Sequence, residues 1–189
     1  MINKKIITNG GFTLLETLVA ILVLTIAITG PLTIASKGLQ STLIAKDQDT
    51  AFYLAEDAIE YVRWIRDTNK LSGGNWLTGA GDTPSSNARS LTPCESSAGC
   101  YLDSTENSPV MPTDCTPTVT CPVMDYDPSV NRYSYTSGTQ TLFTRTTQLT
   151  VVNTNEATLT VTVTWCDQAS VCATTPRLVV VREELFNWQ

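Results

Sequence analysis

Residues 10–37 read GGFTLLETLVAILVLTIAITGPLTIASK, and this stretch decides the fold. The 20 residues between Glu16 and Lys37 carry no charge. A helix of about 20 apolar residues, rising about 1.5 Å per residue, spans a hydrocarbon core of about 30 Å. Lys4 and Lys5 are the only charges before Glu16, so the positive-inside rule predicts a cytoplasmic amino terminus. The stretch therefore predicts a single membrane-spanning helix near the start of the chain.

Glu16 is unexpected in a plain membrane anchor. An ionised carboxylate costs about 2.5–3.5 kcal/mol at the centre of a membrane helix and less near its edge. The next cation along the chain is Lys37, more than five helical turns away. A cut before Phe12 would release an α-amine, the nearest cation that the chain can create. The alternative is an ordinary anchor with a chance glutamate.

The run from Gly10 to Glu16, followed by an apolar helix, resembles the bacterial type IV prepilin leader and cleavage motif. The resemblance implies that a membrane peptidase cuts between Gly11 and Phe12 and then methylates the amine of Phe12. It also implies that Glu16 pairs with the amine of Phe12 of a neighbouring subunit during assembly. Residues 1–11 are then the leader, and residues 12–36 are the transmembrane and polymerisation helix.

The helical pattern continues beyond the membrane as an amphipathic segment, residues 37–69. Apolar residues recur there at steps of three and four, which predicts one buried face: Ala51, Ala55, Ala58, Ile59, Val62 and Ile65. Gly73 and Gly74 then signal a helix end near Asn69. The segment 51–69 resembles minor pilins and I-type pseudopilins, although an amphipathic helix packed on a sheet explains the same pattern.

Gly30 and Pro31 interrupt the predicted helix. Proline removes a backbone hydrogen bond and clashes with the preceding turn, so we expect a helix break here, as a kink or a locally melted segment. Major pilins of the family have a helix-breaking proline in this region, usually slightly later. A tolerated kink in a membrane helix is the alternative.

The six cysteines form three successive pairs with five residues between the members of each pair. An even count, none of it in the apolar segment, is typical of disulfides in an oxidising compartment. Zinc motifs usually place ligands two to four residues apart, which makes a zinc site the weaker interpretation. The spacing favours three local disulfides among the 15 possible pairings, within Cys94, Cys100, Cys115, Cys121, Cys166 and Cys172.

Residues 70–189 form the predicted globular domain. Residues 71–130 are rich in Gly, Pro and Ser and have little periodicity, so they are predicted to be loop held by disulfides. Strands are predicted afterwards, because β-branched residues often alternate there and the connectors are short, at 132–136, 141–152, 157–166 and 177–186. A long helix on an antiparallel sheet is the α+β pilin fold, which the patterning and the resemblance both indicate.

Charge and composition exclude several classes of function. The net charge is −6, and removing the leader leaves 10 Lys and Arg against 18 Asp and Glu, or −8. Nucleic acid is therefore not an expected partner, because phosphate binding needs clustered cations. The chain has no His, so no Ser-His or metal-His site exists; we expect no enzyme and no cofactor. Asp125 and Asp127 suit a solvated turn better than a calcium site.

These observations predict a structural minor subunit of a type IV pilus, a type II secretion filament or a competence filament. The expected partners are other pilin subunits, a prepilin peptidase, an inner-membrane assembly platform and lipid. The expected location is the inner membrane and then a periplasmic or extracellular filament. A filament-tip adhesin, displayed by the same anchor, is the alternative function.

Overall fold

A computed structural model describes residues 11, 13–79, 89–104, 112–115, 120–166 and 176–187. The chain divides into two compact units, Met1–Ala45 and Lys46–Gln189, which are described separately below. One α-helix, α1, covers Leu14–Leu71 and contributes to both units. The predicted end at Asn69 is thus two residues early.

In the first unit, α1 begins after Thr13, whose hydroxyl accepts a hydrogen bond of 3.2 Å from the backbone N–H of Glu16. Leu14, Leu15 and the large apolar side chains that follow them up to Leu43 are more than half exposed. Among the described residues, α1 is the one helix that is long and apolar enough to cross a membrane. The apolar run is therefore helical, and its apolar side chains are exposed on the surface of the helix.

No unwound segment exists at Gly30 and Pro31, because α1 runs through both residues without interruption. The expectation of local melting there is wrong, whereas a kink stays a prediction. Proline costs the helix the one bond that its N–H would donate to the carbonyl of Ala27. Flanking hydroxyls add bonds, since Thr29 donates to the carbonyl of Ile26 and Thr33 to that of Thr29.

In the second unit, the last 26 residues of α1 bury one face, and the helix ends in a glycine cap. The buried apolar residues include all six of the predicted face. The N–H of Gly74 donates to the carbonyl of Asn69, and the N–H of Gly73 donates to that of Lys70. This is a Schellman cap with Gly73 at positive φ, the conformation that favours glycine.

An antiparallel sheet covers that buried helix face. Its strands are β1 (Cys100–Tyr101), β2 (Thr113–Asp114), β3 (Val123–Asp127), β4 (Arg132–Ser134), β5 (Thr139–Asn153), β6 (Glu156–Trp165) and β7 (Arg177–Phe186). Two long hairpins form the centre of the sheet, in which β6 pairs with β5 and with β7. The first part of β5 also pairs with β3, and β5 pairs with β1 near Thr147. On the far sides, β4 pairs with β3 and β2 pairs with β1.

The core lies between α1 and one face of this sheet. Every second residue of β6 is buried, and these residues meet buried apolar residues of α1, β5 and β7. The predicted inward face of β6 is confirmed, because its four members are at most 3% exposed: Leu159, Val161, Val163 and Trp165. Alternation sorts the strand in this way because successive side chains point to opposite faces.

The region predicted as loop, residues 71–130, contains more structure than expected. It includes a 3-10 helix (Thr92–Glu95), the short strands β1 and β2, and the five-residue strand β3. Asp125 therefore lies within a strand and not in the predicted turn, whereas Asp127 is the last residue of that strand and caps the turn that follows it. The strand forms because Met124 is buried in the core while the aspartates take positions with more exposure.

Candidate functional site

The predicted processing site lies at the amino-terminal end of α1. Gly11 is exposed, and no atom lies within 4 Å of the position that a Cβ would take there. Phe12 and Gly10 lie outside the described residues, so the cut between Gly11 and Phe12 and the methylation of Phe12 stay predictions.

Thr13 is the cap residue of α1, a role that the sequence analysis missed. Its hydroxyl accepts the N–H of Glu16, and the spacing Thr-x-x-Glu is the sequence signature of a capping box. That signature was available in the sequence. The cap fixes the first helical turn directly after the predicted cut.

Glu16 occupies the first turn of α1, where the positive end of the helix dipole favours a carboxylate. Its side chain is exposed and forms neither an ion pair nor a hydrogen bond among the described residues. The dipole supplies only a fraction of a positive charge, so the carboxylate still needs a full cation in an apolar environment.

The hydroxyl groups of the apolar run are satisfied within the helix itself. Each donates to a backbone carbonyl three or four residues earlier, at 2.8–3.2 Å: Thr17, Thr25, Thr29, Thr33 and Ser36. Such bonds lower the cost of placing a hydroxyl in hydrocarbon, where no water is available. Across residues 13–36, all of which are described, Glu16 is the one side chain with hydrogen-bonding groups that has no bond.

Disulfides hold the irregular region of the second unit. Cys94 is bonded to Cys100 and Cys115 to Cys121, both local pairs. Cys166 is also disulfide-bonded, and Cys172, its predicted partner, lies outside the described residues. In the chain-entropy model each such short loop contributes about 2–3 kcal/mol to stability. Cys94 and Cys115 also anchor backbone hydrogen bonds to Leu91 and Gly99, so the bridges fix the segment beside β1.

An ion pair formed by a buried arginine in the second unit was not foreseen. The guanidinium of Arg145 on β5 bonds the carboxylate of Asp57 on α1, and it also donates to the carbonyls of Leu54 and Leu102. Burial alone would lower the pKa of Arg145, but Tyr135 and Asp57 raise it above its ordinary value. The signal was an arginine at an inward position of an alternating strand.

Asp125 and Asp127 do not form a metal site with other described residues. Within the described ranges, no group of three or more His, Cys, Asp or Glu side chains is close enough to hold an ion. The carboxylate of Asp127 instead accepts bonds from the hydroxyl and the N–H of Ser129, which lower its pKa. Its geometry is that of a capped turn after β3.

Comparison with known proteins identifies one motif. Residues 8–30 match the family model described as the prokaryotic N-terminal methylation motif. No curated protein and no solved structure matches the chain. The match covers the capped helix start, Glu16 and the apolar run as far as Gly30, and it confirms the predicted type IV prepilin-like signal. With its long apolar helix followed by an antiparallel sheet, the chain has an α+β pilin-like architecture.

Proposed function

We propose that this pilin-like chain is a structural minor subunit, a minor pilin or pseudopilin, of a type IV pilus, a type II secretion filament or a competence filament. The observation that carries the proposal is the exposed carboxylate of Glu16 at the capped start of an apolar helix, where it has no partner among the residues that the structure describes. Every other side-chain hydrogen-bonding group of that run is satisfied.

Cleavage supplies the missing partner. A cut between Gly11 and Phe12 creates an α-amine, and methylation leaves that amine basic. Placing two opposite charges together in a medium of low dielectric constant offsets much of the cost of each. The Glu16 carboxylate of one subunit thus pairs with the Phe12 amine of the next subunit. This pair stabilises the subunit within the filament, whereas an isolated helix does not have it.

The proposed pathway starts in the inner membrane. Lys4 and Lys5 hold the leader on the cytoplasmic side, where the prepilin peptidase acts. The processed subunit then passes to an inner-membrane assembly platform and joins other pilin subunits. The disulfides of the second unit support an oxidising location for that domain, in the periplasm or outside the cell.

A minor role is favoured over a tip position of the K type, because K-type pseudopilins lack the glutamate that this chain has at residue 16. The resemblance of residues 51–69 to minor pilins and I-type pseudopilins points the same way. The protein is proposed as a structural component and not as an enzyme. Nothing in this role requires a cofactor or a nucleic acid.

Shearing filaments from the source cells tests the proposal. Quantitative mass spectrometry of the sheared fraction should find the processed chain at a small fraction of the abundance of the major subunit. A strain without the prepilin peptidase should retain the chain in the membrane. Recovery of the chain solely from the membrane of filament-bearing cells would contradict the proposal. Deletion that abolishes surface attachment and leaves filaments intact would instead indicate the adhesin.

A further inference from the structure

A groove of about 740 Å³ opens in the second unit between α1 and the β3–β4 hairpin. This volume lies within the range of small-molecule sites in proteins, about 300–1,000 Å³. One wall is a face of α1 with residues at helical spacing, and the other is the hairpin. All of its lining residues belong to the second unit, and the inference drawn from it does not depend on the filament role.

Tyrosine rings form both walls of the groove. Tyr53 on α1 is 71% exposed, whereas tyrosine is on average intermediate between buried and exposed residues. Tyr126 and Tyr133 on the hairpin lie with ring centroids 5.0 Å apart and are partly exposed. Tyrosine combines an apolar ring face with a polar tip, which suits ligands with both apolar and hydroxylated faces.

Two cations line the groove. Lys46 on α1 and Arg132 on β4 form no ion pair with any residue that the structure describes. The one carboxylate of the lining, Asp57, is already neutralised by the buried guanidinium of Arg145. Asp47 lies outside the lining and acts on Tyr133, whose pKa is raised mainly by burial. Asp127 lies opposite Arg132 in the register of β3 and β4 but outside the lining. Among the described lining residues, two cations therefore stand against one carboxylate, in a chain whose net charge is negative.

The remaining lining groups are small and polar. The amide of Asn131 accepts the hydroxyl of Tyr126 and keeps its N–H groups available. Thr50 donates its hydroxyl to the carbonyl of Lys46, which leaves its oxygen as an acceptor. Such a lining offers many alternative hydrogen bonds to hydroxyl groups, whereas an apolar ligand would leave them unsatisfied.

We propose that this groove binds an acidic saccharide, with the tyrosine rings against the sugar faces and Lys46 and Arg132 on its carboxylate. The ring faces exclude water from the C–H groups of the sugar. The guanidinium of Arg132 can hold a carboxylate through two parallel hydrogen bonds. An acidic peptide such as polyglutamate could pair with the two cations, but it has no flat apolar face to pack against the exposed ring of Tyr53.

Calorimetric titration of the full processed chain tests this proposal, in a detergent without a sugar head group. The probes are trigalacturonic acid, neutral maltotriose and a triglutamate peptide. Trigalacturonic acid should bind saturably. Maltotriose and triglutamate should bind at least about tenfold more weakly, because maltotriose lacks the carboxylates and triglutamate lacks the sugar rings. Lys46→Gln, Arg132→Gln and Tyr53→Ala should each weaken trigalacturonate binding about tenfold, the effect of losing one charged or stacked contact.

Two matched substitutions serve as controls. Arg182→Gln removes an exposed cation on β7, and Phe52→Ala removes an exposed ring on α1 next to Tyr53; both lie outside the groove lining. Neither should change the affinity for trigalacturonate. Absence of saturable trigalacturonate binding would overturn the proposal, as would equal affinity for triglutamate or equal loss in the control variants. Because Tyr53 is exposed, its substitution should leave the fold intact.

Discussion

Nη1 of Arg145 lies 2.7 Å from Oδ2 of Asp57 and ties the middle of β5 to α1. The Arg145 side chain is 1% exposed, whereas that of Asp57 is 46% exposed. The pair therefore has one end in the core and one end at the surface. The hydroxyl of Ser104 also donates to Asp57, so this carboxylate connects the helix, the sheet and the segment after β1.

Replacing Asp57 with Ala should destabilise the second unit by about 2–3 kcal/mol. The substitution leaves the guanidinium of Arg145 buried without its counterion, a change that costs about 3–5 kcal/mol when both partners are fully buried. The cost is lower here because water reaches the Asp57 side of the pair. Urea unfolding of the processed chain in detergent, followed by near-ultraviolet circular dichroism, measures the difference.

Glu60→Ala is the matched control, since Glu60 is on the same helix and pairs with Arg63 at the surface. Exposed pairs contribute about 0–1 kcal/mol, so this variant should unfold close to the parent. Equal destabilisation by the two substitutions would show that burial of Arg145 has no special role.

Gly138 precedes β5, and its replacement by Ala should cost about 3–5 kcal/mol. Its φ is +124°, and an added Cβ would lie 2.6 Å from the backbone of Tyr126 on β3. Gly73→Ala is the control, because Gly73 also has a positive φ but no atom lies within 4 Å of its Cβ position. The control should cost only about 1–2 kcal/mol. Thermal unfolding compares the two, and similar losses would contradict the packing of residue 138 against β3.

Alkaline pH should destabilise the protein through Tyr135. Burial raises the pKa of Tyr135 above 10.0, although the nearby Arg145 lowers it. The unfolded chain loses this proton at about pH 10 while the folded chain keeps it, so the stability from Tyr135 is complete below pH 10 and is lost as pH rises through the folded pKa. Urea midpoints between pH 8 and 11 should fall above pH 10, and less so in Tyr135→Phe. An unchanged fall in that variant, equal to that of the exposed control Tyr53→Phe, would contradict the assignment.

The helix and the long strands were predictable because each has a strong local signal. The apolar run is uncharged from Thr17 to Ser36, and β6 alternates without exception. The boundaries 177–186 of β7 were predicted correctly, and β5 and β6 were predicted to within two residues. Where periodicity and burial agree, sequence reasoning succeeds.

Features that depend on distant residues were missed. β3 has aspartates at two of its five positions, and its strand structure comes from pairing with β4 and β5. Helical spacing predicts that Arg63 can pair with Glu60 and with Asp67. The pair with Glu60 is confirmed, but the second partner of Arg63 is Glu183 on β7, while Asp67 bonds Arg66. The choice among these partners is made by the tertiary fold, which one-dimensional spacing does not encode.

Glu16→Gln should impair incorporation into filaments while leaving membrane insertion intact. The amide keeps the size of the side chain and removes the charge that pairs with the amine of Phe12. Glu56→Gln, an exposed glutamate outside the apolar run, is the control and should be incorporated normally. Immunoblots of sheared filaments and of membranes from the same cells measure both quantities. Normal incorporation of the Glu16→Gln variant into filaments would contradict the assembly role that we propose for Glu16.

The processing claim is tested most directly by intact-mass and peptide mass spectrometry of the chain after co-expression with its cognate prepilin peptidase. The account predicts a product that begins with N-methylated Phe12 and lacks residues 1–11. An unprocessed chain that still begins at Met1, with the peptidase active on another prepilin in the same cells, would contradict it.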